Sequence, residues 1–292
     1  MSLFFFRLLS KLPISWLYIL SNFLYFLLAR VFRYRRKVIE QNLANSFPEK
    51  SAAERHQIAQ GFYRHLADLI VETIKMPAFS VGELRRRVTF YNEEVVKNYL
   101  KAGHSVIIMA AHQCNWEWAP SAAVLNGMPA DAIYKPLASQ RFEKIVRYIR
   151  SAFGAKPVPM HRLLREIAAR KNEPRLIALV ADQVPDRPEM GYWTNFLHQE
   201  TPFYPGTERL ARSLKHPVFY IEMERVGRGY YIATFRPVAE PPYEQLSPGE
   251  IIDRYRDLLE KTIRKNPSDW LWSHKRWKHS RKSFEGMGQT RW

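Results

Sequence analysis

In AAHQCNWEW, residues 110–118, His112 and Glu117 stand five positions apart. A neutral imidazole takes a proton from a hydroxyl. A carboxylate on its other ring nitrogen fixes the tautomer and stabilises the imidazolium that forms. Such a dyad suits an alcohol that attacks an ester or thioester. The apolar run SVIIMAA leads straight into His112, as a buried strand would. In α/β sheets, sites form beyond the carboxyl ends of strands. Glu117 is expected about one helical turn into the next element, within reach of the imidazole. Other readings of these residues stay open. His112 can bond a backbone carbonyl while Glu117 is solvated. A metal site would use both, but H-x-x-x-x-E lacks the i, i+4 histidine pair of zinc hydrolases, so no metal is expected. Cys114 as nucleophile lacks a third, orienting group, and a packed thiol is the better reading.

Further candidates lie at similar positions. Asp182 and Gln183 follow the second buried run, RLIALVA. Two strands ending side by side would bring this block and the His112 block to one site. Arg147 and Arg150 fall one turn apart on a basic helix, and Glu208 and Arg209 open another after Pro205-Gly206. Taken singly, these also fit a solvated face or a cap. The segment WLWSHKRWK, residues 270–278, interleaves tryptophan with cations. Such a pattern suits a lipid headgroup layer or the stacking of bases. The hydrophobic N-terminus favours the membrane.

The elements that must position these residues alternate in type. SAAERHQIAQGFYRHLADLIVETIKM reads as a long amphipathic helix opened by a Ser51–Glu54 capping box. Ser80 and Glu83 suggest a shorter helix start. Helix, strand and helix follow in EEVVKNYLKAG, SVIIMAA and NWEWAPSAAVLNG. Then come a strand (DAIY), two helices (SQRFEKIVRYIRSAFG and HRLLREIAARK), the strand RLIALVA and the helix GTERLARSLK. PVFYIEMERVGRGYYIATFRPV predicts a hairpin turning near Gly227–Gly229, and SPGEIIDRYRDLLEKTIRKN a late helix. The expectation is a single α/β domain over residues 38–282 with a central, mostly parallel or mixed sheet. A hydrophobic membrane anchor and basic flank, residues 1–37, precede it, and a loose tail, residues 283–292, follows.

Composition narrows the setting. Forty-five Lys and Arg against 28 Asp and Glu give a net charge of +17 over 292 residues. That surface attracts nucleic acid, anionic membrane, phosphorylated substrates or an acidic partner. One cysteine excludes an intrachain disulfide and every multi-cysteine zinc pattern. Between Leu12 and Phe32 only Ser15, Ser21, Asn22 and Arg30 are polar, about the ~20 residues that cross a bilayer. RYRRK follows, so the body is expected on the cytoplasmic side. Pro13 and the many aromatics also fit a helix lying in the interface.

AAHQCNWEW resembles the H-x-x-x-x-[DE] block of the glycerolipid-type acyltransferases. More narrowly it is similar to the bacterial lipid A late acyltransferases, of the lauroyl/myristoyl type. The resemblance runs through NLANSFP, YKPL, RSAFG, ADQ, FYPGTERLA and WLWSHKRWK in order, over nearly the whole chain. It implies an acyltransferase that needs no cofactor, on the cytoplasmic face of the inner membrane. The donor would be acyl carrier protein and the acceptor a hydroxyl of a lipid A precursor, with no nucleic acid partner. His112 would be the base and Glu117 its orienter, in direct transfer without an acyl-enzyme. Arg150, Asp182, Gln183, Lys135 and Arg209 would bind substrate or phosphate. Three departures stand out: Cys114 where glycine is usual, Lys135 where arginine is common, and FLHQETPF in place of an FFG stretch. Another lipid acceptor, or a membrane-tethered lipid hydrolase, remains the alternative.

Overall fold

In this computed structural model residues 3–284 are described. Pro13 splits the apolar N-terminus into α1 (Leu3–Ser10) and α2 (Ile14–Phe26), and a π-helical turn, Leu27–Val31, prolongs α2. Next come α3 (Arg36–Ser46) and α4 (Ala52–Lys75). The capping box at α4 forms as expected: Ser51 N–H donates to Glu54 Oε2 at 2.8 Å, and Glu54 N–H to Ser51 Oγ at 3.3 Å. Ser80 likewise caps α5 (Val81–Arg87).

The alternating region follows as β1 (Val88–Phe90), α6 (Glu94–Lys101), β2 (Val106–Ala110), α7 (Ala119–Leu125), β3 (Ala130–Tyr134) and α8 (Gln140–Ser151). It continues with β4 (Lys156–Pro159), α9 (Leu163–Ala169) and β5 (Leu176–Val180). Then come β6 (Tyr192–Phe196), β7 (Gln199–Phe203), α10 (Gly206–Leu214), β8 (Val218–Gly227), β9 (Tyr230–Ala239) and α11 (Glu250–Lys265). Seven strands form one sheet in the order β1-β9-β8-β2-β5-β3-β4. All neighbours are parallel except β8 and β9, the expected hairpin. Strand alternation divides the core. Ile107 and Met109 of β2 pack towards α3, α4 and α11, while Val106 and Ile108 pack towards α5–α8. The result is an α/β domain with a central, mostly parallel sheet and helices on both faces.

Two features differ from the sequence reading. β6 and β7 make a separate hairpin, closed by Leu197 and His198 at φ of 50° and 65°. Both turn residues are left-handed without an Asn-Gly signal. Trp270 and Trp272, expected at a headgroup layer, are buried against α11, Phe47 and Phe196. The N-terminal helices pack on the domain. α2 lies along α4, donating from Tyr18 to Glu72 (3.0 Å), Ser21 to Asp68 (2.6 Å) and Tyr25 to Gln60 (2.7 Å). The tail expected to be loose lies almost wholly outside the described residues.

Candidate active site

Two adjacent parallel strands build the centre. β2 and β5 run in register with Ala110 opposite Val180, and Ala181 N–H donates to Ala110 O at 3.0 Å. His112 and Asp182 each stand two residues beyond that matched pair, so equal overhang brings them together. His112 Nδ1 lies 2.7 Å from Asp182 Oδ1, and His112 N–H donates to Oδ2 at 2.9 Å. Trp270 Nε1–H donates to the same Oδ2 at 2.8 Å. The ionised carboxylate only accepts, so Nδ1 carries the proton and Nε2 keeps its lone pair. Gln183 Nε2 sits 3.1 Å from that lone pair and donates to it. Burial drives the Asp182 carboxyl up. The charge and hydrogen bonds of His112, with Trp270, more than offset this and hold it below its ordinary value.

The carboxylate on the imidazole is therefore Asp182, not Glu117 as the spacing suggested. The reason is local. Cys114 is left-handed, with φ of 51°, a conformation that glycine adopts most readily. Its thiol is buried, which pushes it well up from its ordinary value, and donates to Met223 O at 3.3 Å. After this kink residues 115–118 form turns, and α7 starts only at Ala119. Glu117 is consequently not one turn into a helix. The Trp116 ring instead packs edge-on against the imidazole, 4.9 Å between centroids, and its indole N–H donates to Glu117 Oε1 at 3.2 Å.

Glu117 is gripped by Arg150 of α8 through a fork of 2.8 and 2.6 Å. Burial alone would raise the Glu117 carboxyl, but the bonds and charge of Arg150 bring it below its ordinary value. Arg150 Nη1 takes no part in the fork, and the guanidinium stacks over Tyr134 at 5.3 Å. The C-terminal strap holds the His112 loop from behind. Leu271 N–H donates to His112 O at 3.0 Å, Cys114 N–H to Asp269 O at 2.9 Å, and Gln113 bridges to Trp270.

The dyad opens on a cavity of about 800 Å3, lined by His112, Glu117, Arg150, Gln183 and Lys135 among mostly apolar residues. Its depth comes from small side chains. Ala178 of β5 stands opposite Ile108 on one side and Ala132 on the other, with Ala110 and Ala130 beside them, and Ala119 and Ala123 of α7 roof the space. Branched residues at these positions would have filled it. Ile221, Met223 and Phe235 line the same cavity from β8 and β9. Near the mouth, Lys135 and Asp186 pair at 2.6 Å, both largely exposed. Arg209, expected at the site, is exposed on α10 and is not among the lining residues; Thr207 and Tyr204 line it instead. Trp116, Tyr204, Thr207 and the alanine floor carry no residue-type or spacing signal that sets them apart from core, and Trp270 carries one that points to an interface instead. Among the described residues no three His, Cys, Asp or Glu side chains gather as a metal site would require.

Fold and site together define a protein of one class: an imidazole, braced by a carboxylate, at the entrance of a deep apolar pocket in an α/β domain. The chain belongs to the bacterial lipid A biosynthesis acyltransferases, whose family profile matches residues 1–279. It is accordingly an acyltransferase. No match was found among curated proteins. Among solved structures the chain is similar to the 1-acyl-sn-glycerophosphate (LPA) acyltransferase PlsC from Thermotoga maritima. Identity is 13%, coverage 87% of this chain and 97% of that one, and the TM-score 0.38.

Proposed function

We propose that the protein moves a fatty acyl chain from acyl carrier protein to a hydroxyl of a lipid A precursor, at the cytoplasmic face of the inner membrane. The observation that carries this reading is the His112–Asp182 pair opening on the alanine-lined cavity. The acyl chain lies in the cavity, gaining roughly 0.8 kcal/mol for each methylene taken from water. The acceptor hydroxyl replaces the Gln183 amide at His112 Nε2. His112 takes the hydroxyl proton as the alkoxide oxygen bonds the thioester carbon. Asp182 stabilises the imidazolium through Nδ1–H, and Arg150 Nη1 faces the carbonyl oxygen as it gains charge. Collapse breaks the C–S bond, and the imidazolium returns its proton to the departing thiolate. Glu117 acts through Arg150, aiming the guanidinium.

The membrane geometry follows from α2. The stretch Ile14–Val31 is long and apolar enough to span, with Trp16, Ile19, Phe23 and Phe26 exposed on its outer side. Its inner side is bonded to α4 and, through Asp68, to Arg228. A spanning helix would draw Asp68, Glu72 and Arg228 into hydrocarbon at several kcal/mol each. The helix therefore lies along one leaflet, and the outer aromatics enter it. The basic surface, +17 overall, attracts both an acidic carrier protein and anionic lipid.

The test is purified protein with acyl carrier protein thioesters of several chain lengths and a lipid A precursor. Acylated lipid should form, and His112→Ala should abolish it while folding and vesicle binding persist. Free fatty acid released at the same rate without acceptor, or acylation of only some other lipid, would replace this reading.

A further inference from the structure

Between α2 and α3 the chain makes a turn that places arginines with unusual care. Arg33 and Arg35 both adopt left-handed backbone, with φ of 48° and 49°, which L side chains disfavour. The turn is nonetheless firmly held. Tyr34 O accepts from the Tyr63 hydroxyl at 2.8 Å, Tyr34 N–H donates to Leu28 O at 2.8 Å, and Arg35 Nη1 donates to Ser273 O at 2.8 Å. A disfavoured conformation fixed by its surroundings points to a purpose beyond connection.

The product of the turn is a small cleft of about 110 Å3, whose lining includes Arg30, Arg33 and Arg36 with His56 and Gln60 of α4. Among the described residues neither Arg30 nor Arg33 has an ion pair, and Arg36 shares its charge with Glu40 at 2.7 Å. Glu40 is the one acid lining the cleft. Gln60 Oε1 is used by the Tyr25 hydroxyl, leaving the amide NH2 to donate. The lining is thus rich in N–H donors and net positive, the complement of an oxyanion with several acceptor oxygens. The cleft sits where the apolar stretch Ile14–Val31 ends, beside exposed Phe26, Val31 and Phe32. With α2 lying in the leaflet as proposed above, those side chains set its depth at the boundary of hydrocarbon, the level of lipid phosphates.

We infer that this cleft is a phosphate site, separate from the acyl cavity, and that its ligand is the phosphate of an anionic lipid headgroup. The site stands whether or not the chemistry proposed above is correct, because it rests on no residue of the His112 centre. Bound there, a lipid phosphate anchors the turn at a fixed depth and so holds the body of the protein at one height on the leaflet.

The experiment is flotation of the full chain with phosphatidylcholine vesicles, with and without phosphatidic acid, at matched ionic strength. Arg30→Gln/Arg33→Gln/Arg36→Gln is compared with Lys11→Gln/Lys37→Gln/Arg64→Gln, which removes equal charge from exposed positions outside the cleft. The cleft variant should lose at least about tenfold more affinity for phosphatidic acid vesicles than the control. Gln60→Glu, which keeps the acceptor for Tyr25 but adds a negative charge, should weaken binding in the same direction. Equal losses in the two triple variants would mean general attraction only and overturn the lipid site. A second arm measures melting in inorganic phosphate against chloride. Stabilisation by phosphate that is lost in the cleft variant, without vesicle preference, would assign the cleft to free phosphate and overturn the lipid source.

Discussion

Asp182→Asn is the sharpest probe of the centre. The carboxylate accepts three N–H bonds: Nδ1–H of His112 on Oδ1, and the His112 and Trp270 N–H groups on Oδ2. An amide has one acceptor oxygen. If that oxygen stays with the two fixed donors, the NH2 faces Nδ1 and drives the imidazole proton to Nε2. The lone pair that would take the hydroxyl proton is then gone. If the amide flips, two N–H donors confront an NH2 in a buried place. The first arrangement keeps the fold at a cost of about 1–3 kcal/mol. It should lower kcat by about 10³–10⁴-fold, or roughly 4–5.5 kcal/mol in barrier, as loss of the correct tautomer does in acyl-transfer triads. The assay is single-turnover transfer from acyl carrier protein thioester, alongside circular dichroism melting and vesicle binding. Glu117→Gln is the companion. It breaks the fork to Arg150 but leaves the His112 tautomer alone, so its loss in kcat should be at least tenfold smaller. Near-normal kcat in Asp182→Asn, or a larger loss in a folded Glu117→Gln, would refute the assignment of roles.

Two further outcomes follow from the geometry. Ala178→Leu adds bulk to the alanine floor, between Ile108 and Ala132. Preference should move to donors about two to four carbons shorter, with the longest favoured chain losing about 2 kcal/mol of binding, read from competition between thioesters. His274 is held at about 4, chiefly by burial and then by nearby Arg276, His112 and Arg35, although Asp182 opposes them. The unfolded imidazole, ordinary at 6.5, takes its proton first as pH falls. Stability should therefore decline from about pH 6.5 to about 4 and gain no further slope from this group below that. His274→Gln should flatten that part of a melting profile, and an unchanged slope would rule His274 out as its source.

What the sequence determined by itself was local. The period of apolar residues and the capping pairs at Ser51 and Ser80 specify helices within a few positions of where they stand, because those signals act over one or two turns. Continuous apolar runs mark β2 and β5, and the chemistry-bearing residues His112 and Asp182 are legible at their ends. Which carboxylate meets the imidazole was not legible. Sequence spacing favours Glu117, yet strand register, a contact across 70 positions, brings Asp182 to Nδ1. A left-handed kink at Cys114, followed by turns where a helix was expected, keeps Glu117 from being aimed the same way. Packing also decided the fate of Trp270 and Trp272, whose composition suits an interface but whose strap pairs with the His112 loop and closes the core. The cavity itself is a property of the fold alone. Alanine reads as ordinary filler in one dimension, and becomes empty volume only when three strands and a helix set their alanines against one another.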